Sequence, residues 1–382
     1  MRMSAYTPTE LELEASKELP PADQLAGRFP IAHPAKRASD AEYERIMSTL
    51  AFGRDFTDYM AVADWNREVG WHNLRLEPFG PITLSPAAAV LHYGQEIFEG
   101  LKAYRHVDGS ITSFRPRYNA ARLNASARRL ALPELDEEVF MSAVVDLVRA
   151  DRRWVPAEQG TSLYLRPFMI ATEAFLGVHS AGQVSFYLIA SPSGSYFKGA
   201  DKGVRIWVDK KYHRAGPGGT GMAKCGGNYA ASLLPQNLAA EKGYAQVCFL
   251  DTTQTYLEEL GGMNVFVVRK DGSVITPRLT GVILEGNTRS AICQILRDEG
   301  VGVKEQDIAL TDLLADIDSG AVTEIFACGT AAVITPITGL GSDDFQVELP
   351  IGEQTERLAS KLTDIQNGVV ADPYGWTYKI CD

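Results

Sequence analysis

Apolar residues recur at helical spacing over residues 136–149. Val139, Phe140, Ala143, Val144, Leu147 and Val148 share one face, and Asp136, Glu137 and Glu138 sit where a helix is positive. Residues 119–130, rich in Ala, Leu and Arg, read as a second helix, and further helices are expected at 229–242, 288–299 and 353–366. Short apolar runs at 184–190, 204–208, 246–250 and 263–268 read as strands. From Trp71 to Leu101, apolar runs alternate with Pro and Gly, which suits strands and loops. Residues 103–114 read as a hairpin turning at Asp108-Gly109, and Asp271-Gly272 marks a second such turn. Two similar turns do not establish an internal repeat.

Residues 1–30 mix Pro and Glu without periodicity and read as a loosely held extension. The turn-rich stretch Ser191-Pro-Ser-Gly-Ser-Tyr-Phe-Lys-Gly has little to bury and reads as a linker. The chain is 382 residues long, with 45% hydrophobic and 22% charged residues, as expected of a soluble globular protein with one large or two ordinary domains. A net charge of −11 without a polybasic run argues against nucleic acid or an anionic membrane as partner. Cys225, Cys248, Cys293, Cys328 and Cys381 form no CxxC pair and no metal pattern, so free thiols in a reducing cytoplasm are expected and no metal is. The acidic start, with Glu10, Glu12, Glu14 and Glu18, does not look like a signal peptide. The longest uncharged stretch, 325–342, is broken by Gly329, Pro336 and Gly339 and makes a poor membrane span.

The most unusual segment is Gly216-Pro-Gly-Gly-Thr-Gly-Met-Ala-Lys-Cys-Gly-Gly-Asn-Tyr, where six glycines within twelve residues frame Lys224. Glycine lets the backbone approach a ligand closely. Gly216-x-Gly218-x-x-Gly221 matches the dinucleotide fingerprint, but no suitable acid follows about 20 residues on. A P-loop does not fit, because Cys225 rather than Ser or Thr follows the lysine. A glycine-rich surface loop with a solvated lysine accounts for this segment, taken alone, equally well.

Other motifs shift that balance. Leu91-His-Tyr-Gly-Gln-Glu-Ile-Phe-Glu-Gly-Leu-Lys-Ala-Tyr, Phe114-Arg-Pro with Asn-Ala-Ala-Arg-Leu, and Leu163-Tyr-Leu-Arg-Pro-Phe appear in order. They are followed by Ala223-Lys-Cys-Gly-Gly-Asn-Tyr-Ala, Glu259-Leu-Gly-Gly-Met-Asn-Val-Phe and Cys328-Gly-Thr-Ala-Ala. From about Trp71 to Trp376 the chain thereby resembles the bacterial branched-chain aminotransferases, pyridoxal-phosphate (PLP) enzymes of fold type IV. The resemblance implies a mixed α/β fold of two domains with the cofactor in a cleft between them, and a homodimer. With the linker above, it gives an extension (1–30), a smaller α/β domain (31–191), a linker (192–203) and a larger PLP-binding domain (204–382). It implies small-molecule substrates: leucine, isoleucine or valine exchanging an amino group with 2-oxoglutarate, to give branched-chain 2-oxo acids and glutamate. D-amino-acid aminotransferases and aminodeoxychorismate lyases share the lysine and the glutamate but fit the Tyr-Gly-Gln-Glu-Ile-Phe-Glu-Gly and Leu-Tyr-Leu-Arg-Pro segments less well.

The site residues follow from the same resemblance. Lys224 would carry PLP covalently and shuttle the α-proton. Glu259 would face the ring nitrogen, leaving the adjacent Glu258 as a solvated surface charge on the other side of a strand. Tyr229 would bond the phenolic oxygen. Arg122, the helix start at Asn287-Thr288 and Thr330 would hold the phosphate. Tyr93, with the N–H groups of Thr330, Ala331 and Ala332, would orient the α-carboxylate. Phe98 and Tyr164 would wall an apolar slot, and Arg166 would meet the second carboxylate of glutamate. Gly262 replaces a pocket-lining threonine of some relatives, which implies a wider slot.

Overall fold

The computed structural model describes residues 7–194 and 203–382. The chain divides into two compact units, one of residues 1–193 and 372–382, the other of residues 194–371. Both mix helices and strands, as expected.

The first unit opens with α1 (Glu10–Ala15), α2 (Ala22–Leu25) and α3 (Asp40–Thr49). Strands β1 (Tyr59–Asn66) and β2 (Gly70–Pro78) follow, then α4 (Ala89–Tyr93), β3 (Glu96–Phe98), β4 (Leu101–Arg105) and β5 (Ile111–Phe114). Helices α5 (Pro116–Arg129) and α6 (Glu137–Ala150) precede the long strands β6 (Ser162–Ala171) and β7 (Gln183–Ser193). The sheet is antiparallel, in the order carboxy-terminal strand (Thr377–Cys381), β5, β4, β6, β7, β1, β2, with β3 beside β6. Helix α6 forms where its apolar stripe foretold, capped by Asp136, whose side chain accepts from the N–H groups of Glu138 and Val139. Helix α5 begins three residues earlier than expected, at Pro116, because proline costs nothing in a first helical turn whose N–H groups lack helical partners.

Two expectations about the chain ends differ from this structure. Residues 7–30 are tied down rather than loose: Leu25 and Phe29 are fully buried, and the Asp146 carboxylate accepts from the N–H groups of Gly27 and Phe29, both at 2.8 Å. The last eleven residues belong to the first unit, not to a domain reaching residue 382. Trp376 packs edge-on against Phe114 with ring centroids 5.5 Å apart, and the strand after it pairs with β5. Of the expected linker, Pro192 and Ser193 complete β7, and residues 195–202 lie outside the described residues.

The second unit runs β8 (Val204–Asp209), α7 (Gly226–Glu241), β9 (Gln246–Leu250), β10 (Leu257–Leu260), β11 (Asn264–Arg269), β12 (Val274–Thr276), α8 (Asn287–Asp298) and β13 (Val303–Glu305). It continues with α9 (Leu310–Asp318), β14 (Val322–Gly329), β15 (Val333–Gly341), β16 (Gln346–Glu348) and α10 (Glu353–Gln366). The sheet order is β10, β9, β8, β15, β14, β11, β12, β13, with β16 beside β15. One face packs Ile206, Val208, Val265, Val267, Ile325 and Ala327 into the unit's main core. Helix α10 occupies the residues its periodicity marks, and the Glu324 carboxylate caps it through the N–H of Thr355 at 2.8 Å. Both hairpin turns have the expected chemistry: Gly109 and Gly272 take φ of +89° and +81°, and each preceding aspartate accepts from the N–H two residues on at 2.9 Å. Among the described residues, no helix is long and apolar enough to cross a membrane.

Candidate active site

Lys224 lies just before α7, whose first helical residue is Gly226. It is half-buried, and its Nζ donates to the Tyr229 hydroxyl at 2.6 Å. Five residues separate the two, so the start of α7 sets their approach. The surface loop with a solvated lysine is thereby ruled out.

Glu259 is buried on β10. Arg214, itself buried, donates to Glu259 Oε1 through Nε at 2.8 Å and also through Nη2. The N–H of Leu284 reaches the same oxygen at 2.8 Å. Burial pushes the Glu259 carboxyl above the usual carboxylate range, while the Arg214 guanidinium, the Leu284 N–H and the Lys224 ammonium oppose that shift. None of these hydrogen bonds uses Oε2. The carboxylate is thus held through one oxygen by a guanidinium and a backbone N–H. The sequence reading missed Arg214. A buried glutamate needs a counter-ion, and that need was the available signal.

Glu258 is not the solvated charge expected: it is 7% exposed. The pairing of β10 with β9 slips between Leu257 and Leu260, and at such an irregularity adjacent side chains no longer alternate cleanly between a buried and a solvated face. Burial, and then the neighbouring Glu259, push the Glu258 carboxyl up to about 7.

Asn287 and Thr288 are the first residues of α8 and both are buried. Gly286, the N-cap, packs against the Asn264 side chain, which donates to the Leu284 carbonyl at 3.0 Å. The positive end of α8 is thus fixed near the loop that supplies Leu284. Thr330, Ala331 and Ala332 form the turn between β14 and β15, closed by the Gly329–Val333 pair. Val333 adopts φ +57°, uncommon for a β-branched residue. Gly262 has an ordinary backbone, and a Cβ there would stand 3.7 Å from Tyr229 Cε1. Space, not backbone shape, distinguishes that position.

In the first unit Arg122 is buried on α5 and makes a two-pronged bond to Glu99, at 2.7 and 2.9 Å. Asn119 holds the same carboxylate at 2.8 Å. Phe98, Tyr164 and Arg166 come together: the Arg166 guanidinium lies 4.8 Å from the Phe98 ring centroid and donates to the Tyr164 hydroxyl at 3.0 Å. A Cβ at Gly100 would collide with that hydroxyl, so this glycine makes room for it. Arg166 Nε is buried with no hydrogen-bond partner, and among the described residues Arg166 has no acidic one. Tyr164 and Arg166 line a cavity of about 430 Å³ with Phe52, Phe56, Ile189 and Ser191. Phe52 meets Tyr164 edge-on at 4.8 Å; no periodicity marks its loop, and the sequence reading passed over it. Tyr93 lies apart from this lining. It stacks on Phe175 at 6.2 Å, and its hydroxyl donates to the Leu176 carbonyl.

Known proteins resemble this chain closely. The model of the class IV amino-transferase family matches residues 96–340. The branched-chain-amino-acid aminotransferase of Mycolicibacterium smegmatis is 49% identical over 360 residues, covering 92% of this chain and 98% of that protein. A probable branched-chain-amino-acid aminotransferase of Streptomyces coelicolor is 51% identical over 356 residues, covering 92% and 97%. Among solved structures, the branched-chain amino acid aminotransferase of Escherichia coli superposes with a TM-score of 0.71 at 28% identity, over 85% of this chain and 99% of that one.

Proposed function

The chain belongs to the class IV aminotransferases and, within them, to the branched-chain-amino-acid aminotransferases; from that membership we propose that it transfers the amino group between leucine, isoleucine or valine and 2-oxoglutarate, using PLP. The observation that carries the reading is Glu259, pinned through one oxygen by Arg214 and Leu284, in the same unit as Lys224, whose Nζ is hydrogen-bonded to Tyr229. A rigid carboxylate and a lysine amine in one unit are what this cofactor needs.

When bound, PLP supplies an electron-withdrawing ring that stabilises negative charge at the α-carbon. Lys224 would hold the cofactor through its Nζ, and the same amine would serve as the base that moves the α-proton. The Tyr229 hydroxyl accepts from the Lys224 Nζ and would bond the phenolic oxygen. Glu259 would face the ring nitrogen and favour its protonated form. Arg122, the N–H groups at Asn287 and Thr288, and the Thr330 hydroxyl would hold the phosphate. Tyr93 and the N–H groups of Thr330, Ala331 and Ala332 orient the α-carboxylate. Phe98, Tyr164 and the space at Gly262 receive the branched side chain, and Arg166 receives the distal carboxylate of glutamate.

The test is a steady-state panel of L-amino acids with 2-oxoglutarate. Leucine, isoleucine and valine should be turned over and D-alanine should not. Turnover of D-alanine without leucine would instead select the D-amino-acid branch of the family. We further propose a cytoplasmic homodimer, in keeping with the cysteine usage, and sedimentation at micromolar concentration reads its mass directly.

A further inference from the structure

Residues 51–57 form a turn between α3 and β1 that is fixed at several points. The N–H of Thr57 donates to the Ala190 carbonyl at 3.0 Å, and the Ser191 hydroxyl donates to the Asp55 carbonyl at 2.6 Å, so β7 holds one end. Phe56 stacks on Phe79 with centroids 4.7 Å apart, while Phe52 leans on Tyr164. Arg54 sits between these anchors and lines the cavity that holds Arg166. Its neighbour Asp55 is committed to Arg45 at 2.8 Å. Among the described residues Arg54 forms no ion pair.

The lining therefore carries two guanidiniums and no carboxylate, in a chain of net charge −11. Neighbouring like charges left without counter-ions are unfavourable until an anion joins them. The remaining wall, with Phe52, Phe56 and Ile189, is apolar and suits a branched side chain. Resting on the aminotransferase reading above, we propose that Arg54 is a specificity-determining residue that draws in and holds the dicarboxylate partner of the reaction, glutamate or 2-oxoglutarate, and leaves the branched-chain partner untouched. Arg54 is exposed at the cavity mouth and acts through its field more than through a buried contact. Its effect should therefore follow substrate charge, falling from 2-oxoglutarate to glutamate to zwitterionic leucine, and should fade with salt.

The test compares wild type with Arg54→Gln and Arg54→Lys. KM and kcat are measured for 2-oxoglutarate and leucine, and binding of glutarate, a dicarboxylate that cannot react, is measured by calorimetry. At low ionic strength, Arg54→Gln should raise the KM for 2-oxoglutarate and weaken glutarate about three- to tenfold, with leucine KM changed less than about 1.5-fold. At about 0.5 M salt the difference should shrink below about twofold, and Arg54→Lys should behave as wild type. Glutarate affinity unchanged in Arg54→Gln, or equal losses for leucine and 2-oxoglutarate, would overturn the proposal. If the wild type turns over no branched-chain amino acid, the reading of function fails, and the glutarate titration alone decides Arg54 by the same criterion.

Discussion

The Lys224–Glu259 region of the second unit and the Arg166 cavity of the first treat charge in opposite ways. At Glu259 itself the charge is matched: Arg214 gives both Nε and Nη2 to one carboxylate oxygen and reaches the Gly221 carbonyl at 2.8 Å. Arg166 has a tyrosine hydroxyl, two aromatic faces and an unpartnered Nε. A network that must present the same face to a resident cofactor in every cycle gains from being fully satisfied. A site that takes a carboxylate in one half of the cycle and an apolar chain in the other cannot hold a permanent acid, because each ligand would have to displace it. The Arg122–Glu99 pair of the first unit is likewise buried and two-pronged, a matched charge.

The contrast breaks most visibly at the lysine. Lys224→Ala should lower turnover of leucine with 2-oxoglutarate by at least about 10⁴-fold, since anchoring and proton transfer are both lost; a residual rate within about tenfold of wild type would place the base elsewhere. Next comes Glu259→Gln, which should lower kcat by roughly 10²-fold or more while the protein retains PLP through dialysis. If Glu258→Gln were the damaging change and Glu259→Gln mild, the two carboxylates would have been assigned in reverse. Arg166→Ala should weaken glutamate by about 2–5 kcal/mol in kcat/KM and leucine far less, the split expected of a cation used by only one partner. Gly262→Leu should fill the space beside Tyr229 and cost leucine about 1–3 kcal/mol more than alanine; equal losses for both would show that the pocket is not there.

The smallest effect belongs to Glu258. Its folded value of about 7 lies above its ordinary one, so its contribution to stability is complete at low pH and is lost as pH rises through 7. Glu258→Gln should therefore be about 1–2 kcal/mol more stable than wild type at pH 8, with the gap shrinking toward pH 5, as urea unfolding at the two values would show. A gap that widens on acidification would mean the carboxylate is stabilised as an anion.

Elements with one apolar face were legible in the sequence. Helices α6 and α10 stand within a residue of their periodic patterns, because those stripes pack on the sheets of their own units. What escaped depends on partners distant in sequence. Leu25 and Phe29 look unremarkable in a Pro- and Glu-rich stretch, yet both are buried, and the N–H of Phe29 is held by Asp146, over a hundred residues away. Glu258 escaped because strict alternation was assumed at a strand whose pairing slips. Lys224, Glu259 and Tyr229 are proposed from ordered motifs that resemble a family, since neither composition nor periodicity marks them. Arg214, Phe52 and Arg54 lie in irregular segments outside those motifs, and only the fold brings them to their partners.

The central claim is that one lysine carries the cofactor opposite a carboxylate fixed by Arg214. Borohydride reduction of the protein in the presence of PLP, followed by peptide mapping, tests it most directly. The label is expected on Lys224, at close to one per chain. A pyridoxyl label on Lys210, Lys211 or any other lysine, or on none, would contradict it.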